Sequence, residues 1–102
     1  MEVDISNGFE LASFHYEVKS GGGTEEELDS DSAFGKCDNL RKIVKITKNY
    51  NPQQAHTTFT HELFEALNSV YVMNLKHDQI THLGNGMAQI LKSLGIQFVY
   101  GS

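Results

Sequence analysis

The stretch NPQQAHTTFTHELFEALNSVYVM, residues 51–73, decides the fold, because it carries both the start signal and the periodicity of a long helix. Asn51 is a favourable N-cap, Pro52 suits the first helical position, and Gln54 stands where a capping box has its second residue. At about 100° per residue, apolar and polar side chains separate onto opposite faces. The apolar face consists of Phe59, Leu63, Ala66, Leu67 and Val70, and the polar face includes Thr57, Thr58, His61, Glu65 and Asn68. The pattern predicts an amphipathic helix over residues 52–73.

Within this helix, the motif His61-Glu62-Leu63-Phe64-Glu65 carries two potential metal ligands one turn apart. Residues i and i+4 share a helical face, so the imidazole of His61 and the carboxylate of Glu65 can bind one ion. Glu62 then points toward a water at that ion, as in the HExxH motif of zinc hydrolases, whose second His is Glu here. The same residues are also compatible with an ordinary solvated face.

The third ligand has to come from outside this helix, because a catalytic zinc site uses three protein ligands and one open position. The other histidines are His15, His56, His77 and His82. After a break at residues 74–76, helical spacing predicts a second amphipathic helix with a buried stripe of Ile80, Leu83, Met87, Ile90, Leu91 and Leu94. His77 lies at the start of this helix, where it can reach the metal face, whereas His82 is expected to face water. Because Gly84 and Gly86 favour an irregular helix, His82 stays open as an alternative third ligand.

A family resemblance extends over residues 35–94. A strand ending in Ile43-Val44-Lys45-Ile46, the helix that carries the His61 motif, and the segment Gly86-Met87-Ala88-Gln89-Ile90-Leu91 together resemble the small phage-encoded relatives of the ImmA/IrrE-type zinc metallopeptidases. The resemblance implies a minimal zincin-like domain in which His61, Glu65 and His77 bind Zn²⁺ and Glu62 is the general base. It also implies a peptide or protein substrate and, for a phage protein, a location in the host cytoplasm.

Glu65 departs from the pattern of that family, whose better-known peptidases carry His at this position. A carboxylate ligand neutralises more of the charge of an ion than an imidazole does, so water at the ion should be less acidic and hydrolysis weaker. The sequence therefore leaves two functions open, a metallopeptidase and an inactive, peptidase-like interaction module that binds a host or phage protein. The sequence identifies no oxyanion stabiliser; Tyr71 and His82 are the residues that could serve, and Tyr71 is more simply a packing residue that borders the apolar stripe.

Before the motif helix, the chain has the patterns of β structure. Residues 9–18 alternate as a half-buried strand does, and residues 33–37 and 41–46 predict a hairpin that turns at Asp38-Asn39. Residues 20–32, rich in Gly, Glu and Asp, predict a flexible acidic loop, and the apolar tail at 95–100 can dock as a short strand. The sequence thus predicts an α+β fold, a small antiparallel sheet of about three strands followed by two packed helices.

Composition narrows the class of protein further. The 102 residues suit one domain, residues 1–102, with a modest core. No apolar run approaches the ~18 residues of a membrane span, and the N-terminus lacks a signal peptide, so we expect a soluble cytoplasmic protein without a membrane partner. The single cysteine, Cys37, fits a reducing compartment and is expected to be a small strand residue rather than a zinc ligand or nucleophile.

A helix-turn-helix regulator is the remaining alternative, because the end of the second helix, residues 88–95, superficially resembles such a segment. Eight Lys and Arg against thirteen Asp and Glu give a net charge of −5. A DNA-binding helix needs basic residues that contact phosphates, and the second helix has few. We therefore expect no nucleic-acid partner.

Overall fold

Six strands and three helices make up the part of the chain that the computed structural model describes, residues 1–31, 33–48 and 51–101. In chain order they are β1 (Glu2–Asp4), β2 (Phe9–Leu11), β3 (Phe14–Lys19), α1 (Gly23–Ser30), β4 (Gly35–Asp38), β5 (Ile43–Ile46), α2 (Pro52–Val70), α3 (His77–Ser93) and β6 (Gln97–Val99). The fold class is α+β, as the sequence predicts. It contains one more helix and more strands than predicted.

The main sheet has four strands in the order β2-β3-β5-β4 and is mixed rather than antiparallel. β2 pairs antiparallel with β3, and β4 pairs antiparallel with β5, but β3 and β5 run parallel. The expectation of about three antiparallel strands is therefore wrong in detail. Its physical reason is the connection through α1 and β4, which returns the chain to the same end of the sheet before β5 begins. β1 and the tail strand β6 form a separate parallel pair.

The predicted strand at residues 9–18 is a hairpin of two strands, β2 and β3. Ala12 and Ser13 form the two-residue turn, with positive φ angles of 49° and 72°. Two such residues are typical of a type I′ turn, whose twist matches that of the flanking strands. The sequence signal was missed because neither position carries the Gly or Asn that usually marks this turn. The hairpin predicted around Asp38-Asn39 is confirmed by the pairing of β4 with β5.

Residues 20–32 are not a flexible loop over most of their length, because residues 23–30 form α1. Leu28, a residue of this helix, is fully buried. The acidic side chains serve as anchors: Glu27 forms an ion pair with Lys45, and Glu25 accepts a hydrogen bond from the hydroxyl of Thr47. Burial of one leucine and pairing of these carboxylates hold the helix against β5. Ser32, the last residue of the predicted loop, lies outside the described residues.

Helix α2 begins as predicted and ends three residues earlier. The Asn51 side chain accepts a hydrogen bond from the backbone N–H of Gln54 at 2.9 Å, and Pro52 is the first helical residue. The helix ends at Val70, because the chain then turns through Val72 and Asn74, whose φ angles are 50° and 59°. The apolar face of α2 packs on the main sheet, in a core of Ile5, Tyr16, Val18, Val44, Ile46, Phe59 and Ala66. The opposite face is thereby directed at α3.

Two of the three buried residues of helix α3 are small, and Ile80 is the one large apolar residue among them. The two small ones are Gly84 and Ala88. Four of the residues predicted to form the buried stripe of α3 are exposed: Leu83, Met87, Ile90 and Leu94. The prediction is confirmed for Ile80 and wrong for these four residues, because Gly84 and Ala88 allow the two backbones to approach closely. The rotation that turns Gly84 and Ala88 toward α2 also turns the large side chains outward.

His56 of α2 is fully buried and forms hydrogen bonds to α3 and to β6. Its Nε2 lies 2.9 Å from the carbonyl oxygen of Ala88, and its Nδ1 lies 3.0 Å from the backbone nitrogen of Phe98. Because the N–H of Phe98 donates to Nδ1, the proton of the neutral ring is on Nε2 and is donated to Ala88. Both ring nitrogens are therefore used to join α2 to α3 and β6, and His56 is not available to bind an ion.

Candidate metal centre

His61, Glu65 and His77 come together where the C-terminal half of α2 meets the start of α3. One ligand atom from each residue can be chosen so that all three lie within 4.8 Å of one another. Nε2 of His61 is 3.8 Å from Oε1 of Glu65, and the His61 and His77 rings are 5.6 Å apart between centroids. Two are on one face of α2, one turn apart, and the third is the first residue of α3. The three residues predicted from the sequence thus form one cluster.

The cluster fits a tetrahedral metal ion after small side-chain movements. Ligand atoms about 2 Å from a zinc ion lie roughly 3.3 Å from each other in a tetrahedral arrangement. The separation of 3.8 Å between His61 and Glu65 is close to that value. His77 is exposed, so its imidazole can rotate toward the other two. Three ligands also leave the fourth position of a tetrahedral ion open for water or substrate.

The position of His77 is fixed by the link between the two helices. The side-chain oxygen of Asn68, one turn beyond Glu65 on α2, accepts a hydrogen bond of 2.9 Å from the backbone N–H of Leu75. Lys76, the residue before His77, donates its backbone N–H to the Gln79 side chain at 2.9 Å. These two bonds hold the chain immediately before His77. Asn68 was assigned only to the polar face from the sequence, because its partner at Leu75 is a tertiary contact.

Glu62 lies beside the cluster and is buried against the edge strand β4. Only 6% of its surface is exposed. A Cβ atom added to Gly35 would lie 3.1 Å from Oε2 of Glu62 and 2.4 Å from a methyl carbon of Thr58. Gly35 therefore provides the space in which the Glu62 carboxyl lies. The role of Gly35 could not be predicted from sequence periodicity, because its contact with Glu62 depends on how α2 crosses the sheet.

Burial shifts the pKa values of His61 and Glu62 in opposite directions. Burial, and after it the negative charge of Glu65, raise the pKa of Glu62 to about 8. The pKa of His61 is lowered by burial, an effect that His77 increases and Glu65 opposes. A lowered pKa keeps His61 neutral near pH 7, which is the form that binds metal ions. A carboxyl whose pKa lies near the working pH can both take up and release a proton.

A cleft of about 330 Å³ opens beside these residues. Its lining residues are Phe34, Gly35, Gln54, Thr57, Thr58, His61, Glu62, His77 and Asn85. The cleft thus has β4 on one side and the two helices on the other, with two of the candidate ligands and Glu62 in its wall. A second cavity, of about 310 Å³, has no His, Cys or acidic residue among its described lining residues. The cleft beside His61 and Glu62 is therefore the candidate functional site, because its wall carries the side chains that can bind a metal ion.

The remaining candidates lie elsewhere. His82 is exposed, as predicted, and it does not line the cleft. Tyr71, the C-cap of α2, is 56% exposed and is also absent from the cleft wall. Neither is placed to stabilise an oxyanion there. His15 is an exposed strand residue that pairs with Glu10 at 2.8 Å.

Cys37 is a residue of β4, as the sequence predicts. Burial, followed by the charges of Glu62 and Glu65, raises the pKa of its thiol to about 12. Its Sγ donates to the side-chain oxygen of Asn39 at 3.3 Å. A thiol that stays protonated near pH 7 is a poor nucleophile and a poor metal ligand. Cys37 therefore acts as a small packing residue behind the candidate site.

The raised pKa of Glu62 predicts a pH-dependent stability of the metal-free protein. The folded chain keeps this proton up to about pH 8, whereas an unfolded glutamate loses it near its ordinary pKa of 4.5. Between these values the folded state binds more protons, so stability falls as pH rises. Glu62→Gln removes this dependence, because the amide is neutral and similar in size. Between pH 5 and 8.5 the wild type should lose roughly 4 kcal/mol more unfolding free energy than the variant, since one pKa unit corresponds to about 1.4 kcal/mol.

Urea unfolding at several pH values in the presence of a chelator measures this difference. All other titrating groups are common to both proteins, so the difference between the two curves reports Glu62 alone. Parallel curves would show that the Glu62 carboxyl is not protonated in the folded chain.

Comparisons of the chain with protein-family models, with curated proteins and with solved structures found no match. Within the described residues, no helix has the length and apolar character needed to cross a membrane. What the chain does is therefore inferred from the site itself.

Proposed function

We propose that this protein is a zinc-binding, metallopeptidase-like hydrolase, with a zincin-like arrangement of its motif helix. One observation carries the proposal: a buried glutamate, Glu62, lies beside a cluster of two imidazoles and one carboxylate at a cleft of about 330 Å³. Two His and one Glu form a known ligand set for catalytic zinc. A resemblance to the ImmA/IrrE-type peptidases, including their phage-encoded relatives, agrees with this chemistry.

In the proposed site, His61, Glu65 and His77 hold the ion. When bound, zinc lowers the pKa of water toward ~7 and polarises a carbonyl oxygen. Glu62 takes a proton from the attacking water and transfers it to the leaving amine nitrogen. In the metal-free chain, burial keeps the Glu62 carboxyl largely protonated at pH 7, because it raises the pKa to about 8. A nearby cation would bring that pKa down, so that the carboxylate form is present at pH 7.

The edge strand supports a peptide or protein as the substrate class. β4 pairs only with β5 in the described sheet, and Gly35 at its start lines the cleft beside Glu62. An extended peptide can add to such an edge through backbone hydrogen bonds. That placement would bring a peptide carbonyl alongside the motif helix. The absence of a side chain at Gly35 also keeps the approach to Glu62 open.

A second candidate, an interaction module without hydrolysis, is favoured by the exposed apolar face of α3. The side chains of Leu83, Met87, Ile90 and Leu94 are 39% to 70% exposed and follow one another at helical spacing. Contiguous apolar residues on a surface are typical of protein-binding sites. Under this alternative, the His-Glu cluster stabilises the fold with or without an ion, and the partner is a protein.

Metal content tests the proposal first. Protein purified without a histidine tag should carry close to one equivalent of zinc after zinc loading and desalting, measured by elemental mass spectrometry. Under the same treatment, a His61→Ala/Glu65→Ala variant should carry none, because it keeps a single ligand. The matched control is His15→Ala, since His15 is exposed and lies in β3.

The outcomes separate the candidates. A stoichiometry near zero in the loaded wild type contradicts zinc binding. One equivalent of iron in the protein as purified, before zinc loading, would indicate an Fe(II) site instead, because two His and one carboxylate also bind Fe(II). Bound zinc without cleavage of any peptide in a denatured protein digest would support the interaction module.

A further inference from the structure

Gly84 of α3 lies against the backbone of His61, the first ligand of the proposed site. A Cβ atom built on Gly84 would be 2.9 Å from Cα, 3.3 Å from Cβ and 3.4 Å from the backbone nitrogen of His61. Carbon atoms in contact are normally about 3.5 to 4.0 Å apart. The opposing atoms belong mainly to the backbone of α2, which cannot rotate away as the end of a side chain can. A side chain at position 84 would therefore push α2 and α3 apart.

The same face of α3 carries the third ligand. His77 and Gly84 are seven residues apart, and seven residues complete almost two full helical turns, so both lie on the face directed at α2. The rings of His61 and His77 are 5.6 Å apart between centroids. A shift of α3 away from α2 at Gly84 would increase that distance. Side-chain rotation of His77 could make up only part of the change, because its backbone is held by the bonds at Leu75 and Lys76.

We infer that Gly84 is a positioning residue for the metal centre: the absence of its side chain sets the spacing of α2 and α3 at which His77 can join His61 and Glu65 on one ion. This inference rests on the proposed function, because it concerns the affinity of that site. It assigns to Gly84 a role that helix propensity disfavours, since glycine destabilises a helix interior relative to alanine. Gly84 is buried, and the contact that requires a glycine there is the one with the backbone of His61.

Gly86 provides a matched control on the same helix. It is exposed, and a Cβ atom built on it would meet no atom within 4 Å. Gly84→Ala and Gly86→Ala make the same chemical change and bring the same gain in helix propensity. Only the first introduces a clash with α2. A difference between the two variants therefore reports the helix contact.

Zinc affinity is measured by competition with a chromogenic chelator. Gly84→Ala should weaken zinc binding by at least about tenfold, the lower range found when residues that orient metal ligands are changed. Gly86→Ala should stay within about twofold of the wild type, because exposed sites without contacts are usually neutral. In a His77→Ala background, Gly84→Ala should have little further effect, since the ligand that it positions is gone. A purely structural role would give the same loss in both backgrounds.

Nuclear Overhauser effects between the His61 and His77 ring protons give a second readout that needs no metal. The metal-free wild type and Gly86→Ala should show these effects, and Gly84→Ala should lose them. If they are lost as expected but the wild type binds no zinc, the proposed function fails, and what stands is that Gly84 sets the distance between the two imidazole rings. If Gly84→Ala keeps both the ring contacts and the zinc affinity, the inference is overturned.

A second variant tests whether Gly84→Ala acts only by destabilising the fold. Should Gly84→Ala be too unstable to measure, Gly84→Ala/Gly86→Ala is compared with Gly86→Ala, because the second alanine raises helix propensity. If this double variant also fails to fold, Gly84 is required for folding rather than for placing His77, and the inference is overturned.

Discussion

Replacing His77 with Ala is expected to remove most of the thermal stabilisation that zinc should give through the proposed site. At a free zinc concentration one hundred times the dissociation constant, binding to the folded state contributes about 2.7 kcal/mol. For a domain of this size, each kcal/mol shifts the melting temperature by about 4 to 8 °C, so the wild type should gain on the order of 10 to 20 °C. Without His77, only His61 and Glu65 remain as ligands.

Loss of one of three ligands should weaken binding at least as much as loss of a residue that merely orients a ligand, which costs roughly 10- to 100-fold. At the upper figure and the same zinc concentration, the stabilisation of His77→Ala falls to about 0.4 kcal/mol, or a few degrees. Differential scanning fluorimetry with and without zinc measures the shift.

His82→Ala is the matched control, because His82 is exposed on the same helix and does not line the cleft. It should keep the full zinc-induced rise. A rise that disappears in His82→Ala and persists in His77→Ala would transfer the third ligand to His82. It would also remove the correspondence with the peptidase family at this position.

The motif helix could be predicted from the sequence because everything that defines it is local. Asn51 caps the helix through a contact three residues away, and the spacing of His61 and Glu65 is fixed by the helix itself. His77 could be predicted as the third ligand because it lies at the start of the next helix, which is again a local signal in the sequence. The structure brings these residues together, while their binding of an ion stays a prediction.

What could not be predicted depends on contacts between distant residues. Periodicity identified the most hydrophobic face of α3, yet Gly84 and Ala88 face α2, because close backbone packing decided the orientation. The acidic segment forms α1 since Leu28 is buried and Glu27 finds Lys45, a partner eighteen positions away in the chain. The local sequence around Gly84 does not show its contact with α2, and the local sequence around Glu27 does not show its ion pair with Lys45.

Gly35, the neighbour of the proposed general base Glu62, shows the same limit. Glu62 was found from its place in the motif, but its burial comes from β4, where Gly35 lies against it. Burial is what raises the pKa of this carboxyl to about 8. The motif alone therefore predicts a role for Glu62, whereas the burial and the raised pKa of this carboxyl depend on the tertiary structure.

Glu62→Gln and Glu65→Ala should separate the base from the ligand. Glutamine keeps the size of Glu62 but cannot accept a proton from water, so hydrolysis should fall by about 10²- to 10⁴-fold, the usual contribution of general base catalysis. Zinc affinity should change little, because Glu62 is not one of the three clustered ligands. Glu65→Ala removes a ligand and should weaken zinc binding roughly 100-fold or more.

Zinc affinity by chelator competition and peptide cleavage by mass spectrometry are measured on the same preparations. Saturating zinc should restore part of the activity of Glu65→Ala, since the base is intact, and none of that of Glu62→Gln. The matched control is Glu10→Gln, an exposed carboxylate of β2 that should leave both quantities unchanged. If Glu62→Gln releases zinc as readily as Glu65→Ala does, Glu62 is a ligand, and the buried carboxyl beside Gly35 is part of the ion's coordination rather than the base that acts on water.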